Sequence, residues 1–199
     1  MQELRDDIIR KAFLQFLNRG YKACSLKVLE QATGSTKGAF YYYFKDKKEI
    51  LEAGIELYFS VIKEESDVDL NRIDSLREYI DLIVKSKEDN ADASQRVFDC
   101  FILEMLFFQL VLEVASILPR FRERIYTISK QRLSNWEYVI LKAKQNGEIR
   151  ETLDTSVLAR NLMSVSSSIL NIELERADLR YVYSDMRLQF EQYYMLIKK

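Results

Sequence analysis

The chain has 199 residues, with 30 Lys and Arg against 31 Asp and Glu, and it contains no His. It therefore lacks the side chain that proteins use most often as a general base near neutral pH and as a metal ligand. The two cysteines, Cys24 and Cys100, are too few for a disulfide framework or a zinc site. One Pro and five Gly leave few turn residues for a β-rich fold. The composition predicts an all-α protein with no metal and no cofactor, and it disfavours an enzyme.

The longest apolar stretch runs from Val97 to Leu118 and is long enough to cross a bilayer. It carries Asp99, Glu104 and Glu113, and each of these carboxylates is costly at membrane depth. We therefore expect a buried core helix in this stretch and no membrane partner. The charged N-terminus is unlike a secretory signal, so we expect a cytoplasmic protein.

Charge is unevenly distributed along the chain. Residues 1–50 contain ten Lys and Arg against six Asp and Glu, a net charge of +4, whereas residues 51–199 carry a net charge of −5. A basic first quarter is typical of a segment that binds a polyanion, joined here to a body with another role. Ordinary surface variation can also produce such a difference, so a motif is needed to decide.

The first quarter begins with two predicted helices joined by a turn. Apolar residues at spacings of three and four predict an amphipathic helix from Asp6 to Leu17. Gly20 follows as a C-terminal glycine. Ser25 can then cap a short second helix, whose buried positions include Leu29.

A third short helix follows the second after a turn. Gly34 ends the second helix, and Ser35 or Thr36 can cap the third, which we predict from about Lys37 to Tyr43. Asp46 then caps a fourth helix. Two short helices joined by a turn that contains Gly form the helix-turn-helix pattern, in which the second short helix lies in the DNA major groove.

The residues of this segment also match a known family pattern. Gly20-Tyr21, Ser25, Leu29 and the run ATGSTKGAFYYYFKDKKEIL over residues 32–51, taken together and in register, resemble the N-terminal domain of the tetracycline-repressor (TetR) family. The resemblance covers about the first quarter of the chain. It implies a helix-turn-helix DNA-binding domain over residues 1–46. It also implies a helical body over residues 47–199 that dimerises and often holds a small effector.

The resemblance implies DNA contacts at the start of the second helix, along the third and at the start of the fourth. Carried over to this sequence, the contact residues are Ser25, Lys27, Ser35, Thr36, Lys37, Gly38, Tyr41, Tyr42, Tyr43 and Lys47. The family often has His at the position of Tyr43. Because a Tyr hydroxyl can also donate to a phosphate, this departure affects sequence preference more than binding.

Elementary chemistry supports the same roles. Gly38 has no Cβ, so the duplex can approach the helix closely there. Lys37 can reach either a guanine edge or a phosphate, and both alternatives stay open. Phe40 and Phe44, four residues apart, form the better core pair, which turns Tyr41 to Tyr43 partly outward. The alternative for these tyrosines is core packing.

The remainder of the chain is predicted to be helical throughout, which makes about nine helices in all. The charged cluster at 87–92 is predicted to be a loop, and Ser94 is predicted to cap the next helix. Pro119 is expected to end that helix and start another, and Thr155 is expected to cap the one after. The predicted body helices span about 75–87, 94–118, 120–145, 156–175 and 178–198.

Aromatic residues in the body suggest a ligand pocket. Phe101, Phe107 and Phe108 share a broad helix face with Glu104. Trp136 on a later helix is a further candidate wall residue. An apolar cavity with one carboxylate would suit a cationic or hydrogen-bonding apolar ligand. In the simpler alternative, the aromatics fill the core and Glu104 pairs with an arginine or faces water.

The last two helices carry more apolar surface than one buried face requires. This surplus favours a symmetric four-helix dimer interface, and packing within one chain is the alternative. The candidate interface residues are Leu162, Val165, Ile169, Phe190 and Tyr194.

The leading functional hypothesis is a homodimeric transcriptional regulator, released as a repressor from a palindromic double-stranded operator by a small apolar or cationic effector. The alternative is a helix-turn-helix DNA-binding protein that has no small-molecule effector and responds to a protein partner. An enzyme is a distant third, because the chain shows no phosphate loop, no Cys-His pair and no metal-ligand spacing.

Overall fold

The computed structural model describes residues 2–167 and 179–199. In those residues it contains nine α-helices and no named strand, which confirms the predicted all-α fold. Two short 3-10 helices, Glu65–Asp67 and Leu70–Arg72, lie between the fourth and fifth α-helices. The α-helices are α1 (Gln2–Arg19), α2 (Leu26–Thr33), α3 (Lys37–Tyr43), α4 (Lys47–Val61), α5 (Leu76–Phe98), α6 (Leu103–Val114), α7 (Pro119–Gln145), α8 (Thr155–Ser166) and α9 (Leu179–Ile197).

The chain forms two compact units. The first comprises Met1–Lys63 and Ala91–Arg122, and the second comprises Glu64–Asn90 and Glu123–Lys199. These ranges differ from the division at residue 46 suggested by the resemblance. That division concerns which part binds DNA, and it stays a prediction.

An aromatic cluster forms the core of the first unit. Tyr58 on α4 stacks on Phe107 of α6, with ring centroids 3.6 Å apart. Phe13 on α1 lies 5.9 Å from Phe98 and 6.3 Å from Phe107, measured between ring centroids. A Cβ on Gly54 would lie only 2.4 Å from Cδ2 of Phe13. The absence of a side chain at Gly54 therefore lets α4 pack closely on α1.

The second unit combines an aromatic core with a buried ionic group. Trp136 is fully buried, stacks on Phe190 and meets Tyr79 edge to face. Beside these rings, the carboxylate of Glu65 pairs with Arg132 and Lys87. A buried carboxylate needs such partners to offset the loss of its hydration.

The structure corrects the prediction of a loop at residues 87–92. This charged segment is helical and lies inside α5. Lys87 and Asn90 are both buried, and Lys87 reaches Glu65, so a tertiary ion pair keeps polar residues in the helix. The chain breaks later, at Asp99, which has a left-handed backbone with φ of 52°. The central helix α6 consequently begins at Leu103, later than predicted.

Helix caps agree with the sequence in three cases and differ in two. Ser94, which is predicted to cap a helix, lies inside α5. Ser25, Thr36 and Asp46 cap α2, α3 and α4 through their side-chain oxygens. At α8 the cap is Asp154, whose carboxylate accepts a hydrogen bond from the N–H of Val157, and the predicted Thr155 is the first helical residue. The predicted continuation of this helix over residues 168–175 lies outside the described residues. Within the described chain, no helix is long and apolar enough to span a membrane.

Candidate nucleic-acid interface

Local hydrogen bonds shape the turn between α2 and α3. The hydroxyl of Thr33 donates to the carbonyl of Leu29 and accepts a hydrogen bond from the N–H of Ser35. Gly34 between them has φ of +70°, in the left-handed region that glycine adopts without strain. The turn therefore follows from residues within α2 and immediately after it, and it sets the direction in which α3 leaves.

Helix α3 and its C-cap residue Phe44 place their aromatic side chains on two faces. Phe40 and Phe44 are each 2% exposed, whereas Tyr41 is 54% and Tyr42 is 71% exposed. Tyr43 is half-buried, and its ring meets that of Tyr42 edge to face at 4.8 Å between centroids. The rows of Phe and Tyr thus point in different directions, with the tyrosine hydroxyls of the outer face accessible from solvent.

The first turn of α3 presents small and basic residues. The hydroxyl of Thr36 accepts a hydrogen bond from the N–H of Ala39 and so caps the helix. Lys37 is exposed, with its Nζ 5.8 Å from the centroid of the Tyr41 ring. A Cβ on Gly38 would come no closer than 3.8 Å to any neighbouring atom, the hydroxyl oxygen of Thr36. No residue in the described part of the chain therefore requires a glycine at position 38.

The remaining predicted contact residues differ in the exposure of their side chains and in the hydrogen bonds they already make. Ser25 and Lys27 at the start of α2 are exposed, and Ser35 is half-buried. Lys47 points inward instead, because its Nζ donates to the carbonyls of Tyr21 at 2.8 Å and Cys24 at 2.9 Å. Two of its three N–H donors are thus used inside the protein, and a phosphate could take only the third.

Glu113 on α6 is a residue that the sequence did not single out for this surface. Its carboxylate accepts hydrogen bonds from the backbone N–H groups of Tyr21 and Lys22, each 2.8 Å long. Because 91 or more positions separate the partners, no local pattern could have predicted these contacts.

Cys24 lies in the turn between α1 and α2, which also contains Tyr21 and Lys22, and it contacts α1. Its sulfur is buried and donates to the carbonyl of Gln15 at 3.3 Å. Burial raises the pKa of the Cys24 thiol, against the smaller opposing effects of Lys47 and Arg19. Cys24 therefore serves as a protonated, buried donor in the packing of the turn.

Residues 8–53 match the family model described as "Bacterial regulatory proteins, tetR family". This range contains the helix-turn-helix, its caps and the exposed tyrosines. The helix-turn-helix segment of this chain is therefore of the tetR type. Proteins of this family and its relatives are transcriptional regulators, and DNA binding is the activity that the segment supports.

Three similar proteins match the chain beyond this segment, one by sequence and two by structure. An uncharacterized HTH-type transcriptional regulator, YerO of Bacillus subtilis, is 25% identical over 185 residues, which cover 88% of this chain. The aligned part is 61% of the length of YerO.

Two solved structures show the same fold. The ketosteroid transcriptional regulator KstR2 of Mycobacterium tuberculosis has a TM-score of 0.69 at 17% identity, covering 98% of this chain and 95% of that one. A protein of Saccharomonospora viridis in complex with choline has a TM-score of 0.67 at 18% identity and full coverage of both chains.

The predicted pocket residues belong to two different compact units. Phe107 is a core residue of the first unit, and Trp136 is a core residue of the second. Phe101 and Phe108 are about half exposed, and Glu104 is half-buried. Core filling therefore describes Phe107 and Trp136, and it does not describe Phe101 and Phe108.

A surface groove lies elsewhere in the second unit, between α7 and α8. Its volume is about 510 Å³, within the usual range of small-ligand sites. Leu133 and Met163 supply apolar surface, while Lys130 and Arg160 supply positive charge. The remaining lining residues carry hydroxyl groups: Tyr126, Ser129, Ser164 and Ser167.

The predicted interface residues differ in exposure, and their role in a dimer stays a prediction. Leu162 and Phe190 are fully buried within the second unit. Val165 and Tyr194 are half-buried, and Ile169 lies outside the described residues. Among the described side chains of α8 and α9, the exposed large apolar ones are Val157, Leu188, Met195 and Leu196.

Proposed function

We propose that this protein is a homodimeric repressor of the tetR family that acts in the cytoplasm. It reads a palindromic duplex with helix α3 and releases it when a small effector binds. The outer face of α3 carries this proposal. That face places Lys37, Gly38, Tyr41 and Tyr42 together on the solvent side of a capped helix in a helix-turn-helix.

Each of these residues suits a different part of a DNA duplex. Lys37 can pair with a phosphate or donate to a guanine edge, and the tyrosine hydroxyls can donate to phosphate oxygens. Gly38 leaves open space on the helix, so the sugar-phosphate backbone can approach it. Ser25 and Lys27 at the start of α2 would add phosphate contacts and fix the orientation of the protein.

Exposed apolar residues on α9 support the homodimer. Leu188, Met195 and Leu196 are 62%, 50% and 69% exposed, and their spacing of seven and eight places them on one stripe. The opposite face of the same helix is buried by Met186 and Phe190. A second copy that covered this outer stripe would present two recognition helices, which must reach major grooves roughly 34 Å apart.

The α7–α8 groove is the effector site that we propose. Its apolar lining residues and its two basic residues favour an apolar molecule with an anionic or hydrogen-bond-accepting group. This changes the expectation of a cationic effector, which rested on Glu104. The effector would act by binding more tightly to a dimer whose α3 helices no longer fit both half-sites.

Selection of duplexes from a random-sequence pool, followed by fluorescence anisotropy on the best duplex, tests this function. We expect a two-fold symmetric consensus and an affinity that falls steeply with salt through counterion release. A panel of apolar carboxylates and apolar cations is then added to the complex. Failure to select any duplex contradicts the proposal. Selection of a duplex that no compound releases, with no compound raising the melting temperature, favours a regulator that responds to a protein partner.

A further inference from the structure

We propose that Glu113 is a positioning residue for DNA binding, although it lies on α6 and contacts no DNA itself. Its carboxylate holds the turn between α1 and α2, defined as residues 20–25, in the position from which α2 and α3 continue. The inference rests on the proposed function of α3. It adds to that function a residue outside the helix-turn-helix on which DNA affinity depends.

The contact between Glu113 and the turn is close and two-pronged. One carboxylate oxygen accepts from the N–H of Tyr21 and the other from the N–H of Lys22, each at 2.8 Å. Neither of these backbone donors belongs to a helix, so the carboxylate supplies an acceptor that the local backbone does not. Charge-assisted hydrogen bonds of this length are the stronger class in proteins.

Gly20 makes room for this carboxylate. A Cβ on Gly20 would lie 2.7 Å from Oε2 of Glu113, closer than real Cβ atoms approach an oxygen. Gly20 also has φ of +82°, which a residue with a Cβ adopts only with strain. The end of α1 is thus shaped to admit the side chain from α6.

A cation from α4 holds the opposite side of the same turn. Lys47 donates to the carbonyls of Tyr21 and Cys24, and its Nζ lies 4.1 Å from the centroid of the Tyr21 ring. Glu113 therefore takes the N–H groups of the turn while Lys47 takes its carbonyls. Ser25, which caps α2, follows Cys24 directly, so the clamped turn fixes where α2 begins.

If the carboxylate of Glu113 acted only through its charge, removing it would strengthen DNA binding. A carboxylate near a DNA-binding surface repels phosphates, and its removal should tighten binding. Removal of a positioning carboxylate should weaken binding, because the released turn no longer holds α2 and α3 in one orientation. The direction of the change therefore separates the two roles.

The experiment compares Glu113→Gln with Glu52→Gln in the full-length protein. Glu52 is an exposed carboxylate on α4 that lies 3.9 Å from Lys48. Its negative charge contributes to raising the pKa of Tyr21, so it lies near the same turn. Both substitutions remove one negative charge from the first unit. A third variant, Glu113→Asp, keeps the charge and shortens the side chain by one methylene, so that both N–H groups cannot be reached together. All proteins are measured on the duplex that the wild-type protein selects.

We expect Glu113→Gln and Glu113→Asp each to weaken DNA binding by about tenfold, because the loss of one hydrogen bond to a charged group changes an equilibrium constant by about that factor. We expect Glu52→Gln to leave the affinity unchanged or slightly tighter. Amide hydrogen exchange at Tyr21 and Lys22 should be faster by a similar factor in both Glu113 variants, with exchange in the centres of α1 and α4 unchanged.

A Glu113→Gln protein that binds as tightly as Glu52→Gln, or more tightly, overturns the proposal. Unchanged exchange at Tyr21 and Lys22 overturns it as well. If Glu113→Gln does not fold, Glu113→Asp carries the same comparison. If the wild-type protein selects no duplex, the proposed function fails, and the exchange measurements alone decide whether Glu113 holds the turn.

Discussion

Arg132 holds Glu65 with two parallel hydrogen bonds, from Nε to one carboxylate oxygen and from Nη2 to the other, each 3.0 Å long. Lys87 lies 3.3 Å from the same carboxylate, and the side chains of Glu65 and Lys87 are only 4% and 6% exposed. Asn135 donates to the backbone carbonyl of Glu65. This group joins the segment after α4 to α5 and α7 inside the second unit.

Glu65→Ala is therefore expected to destabilise the protein by about 3–5 kcal/mol, because it takes away the carboxylate with which two largely buried cations pair. Urea unfolding followed by circular dichroism measures the change in the free energy of unfolding. Glu151→Ala is the matched control, since Glu151 and its partner Lys199 are 72% and 66% exposed at 3.9 Å. That surface pair should contribute no more than about 1 kcal/mol. Equal losses for the two variants would contradict the role of the buried group.

The same group explains why the sequence could not predict α5. A run of charged residues at 87–92 is typical of a loop, and only the distant Glu65 shows why Lys87 belongs in a helix. Asn90 is likewise buried on the inner side of α5. Local propensity was overridden by contacts that are far apart in sequence.

The helix-turn-helix was predictable because its signals are local. The caps Ser25, Thr36 and Asp46 each accept a hydrogen bond from a backbone N–H three residues ahead. Within α3, buried Phe40 and exposed Tyr41 and Tyr42 follow from helical spacing, and buried Phe44 caps the end of this helix. Spacing could not predict that Lys47 turns inward or that Glu113 accepts hydrogen bonds from the turn before α2, since both depend on how helices pack.

Gly38→Ala should weaken DNA binding without harming the fold. A Cβ at this position meets nothing closer than 3.8 Å, and Ala favours a helix over Gly by about 1 kcal/mol. We expect an unchanged or higher melting temperature together with a clear loss of affinity for the selected duplex, measured by anisotropy.

Gly54→Ala gives the opposite pattern and serves as its control. The new Cβ would lie 2.4 Å from Cδ2 of Phe13, so α4 must move away from α1 at a cost of about 1–3 kcal/mol.

A Gly38→Ala protein that binds the duplex as well as wild type would show that no DNA atom approaches this part of α3.

Lys37→Ala should reduce both affinity and its salt dependence. If Lys37 contacts a phosphate, affinity falls similarly on all duplexes and the slope of log K against log salt falls by about 1. If it donates to guanine, the loss is about 1–3 kcal/mol and preference at one base pair relaxes. Anisotropy titrations at several salt concentrations on the selected duplex and on single-base variants distinguish the two. Lys85→Ala, an exposed lysine on α5 that pairs with Asp89, removes the same charge elsewhere and should change neither quantity.

Leu196→Glu should convert the proposed dimer into monomers. Leu196 is 69% exposed on the outer stripe of α9, and a carboxylate there would have to be buried without a partner in a two-fold interface. We expect the mass from sedimentation or light scattering to fall to that of one chain. Affinity for a full palindrome should fall toward that for a half-site.

Leu112→Glu is the control for adding a charge to an exposed apolar position, because Leu112 on α6 is 70% exposed. It should leave both mass and affinity unchanged. If Leu196→Glu remains dimeric while Leu112→Glu becomes monomeric, the interface lies on α6 and not on α9. If neither variant alters the mass of a wild-type dimer, residues other than these two exposed leucines hold the copies together, and the outer stripe of α9 is not the interface. A wild-type protein that is monomeric with and without DNA would contradict the proposal that a homodimer binds both half-sites of a palindrome, since one α3 helix can occupy only one half-site.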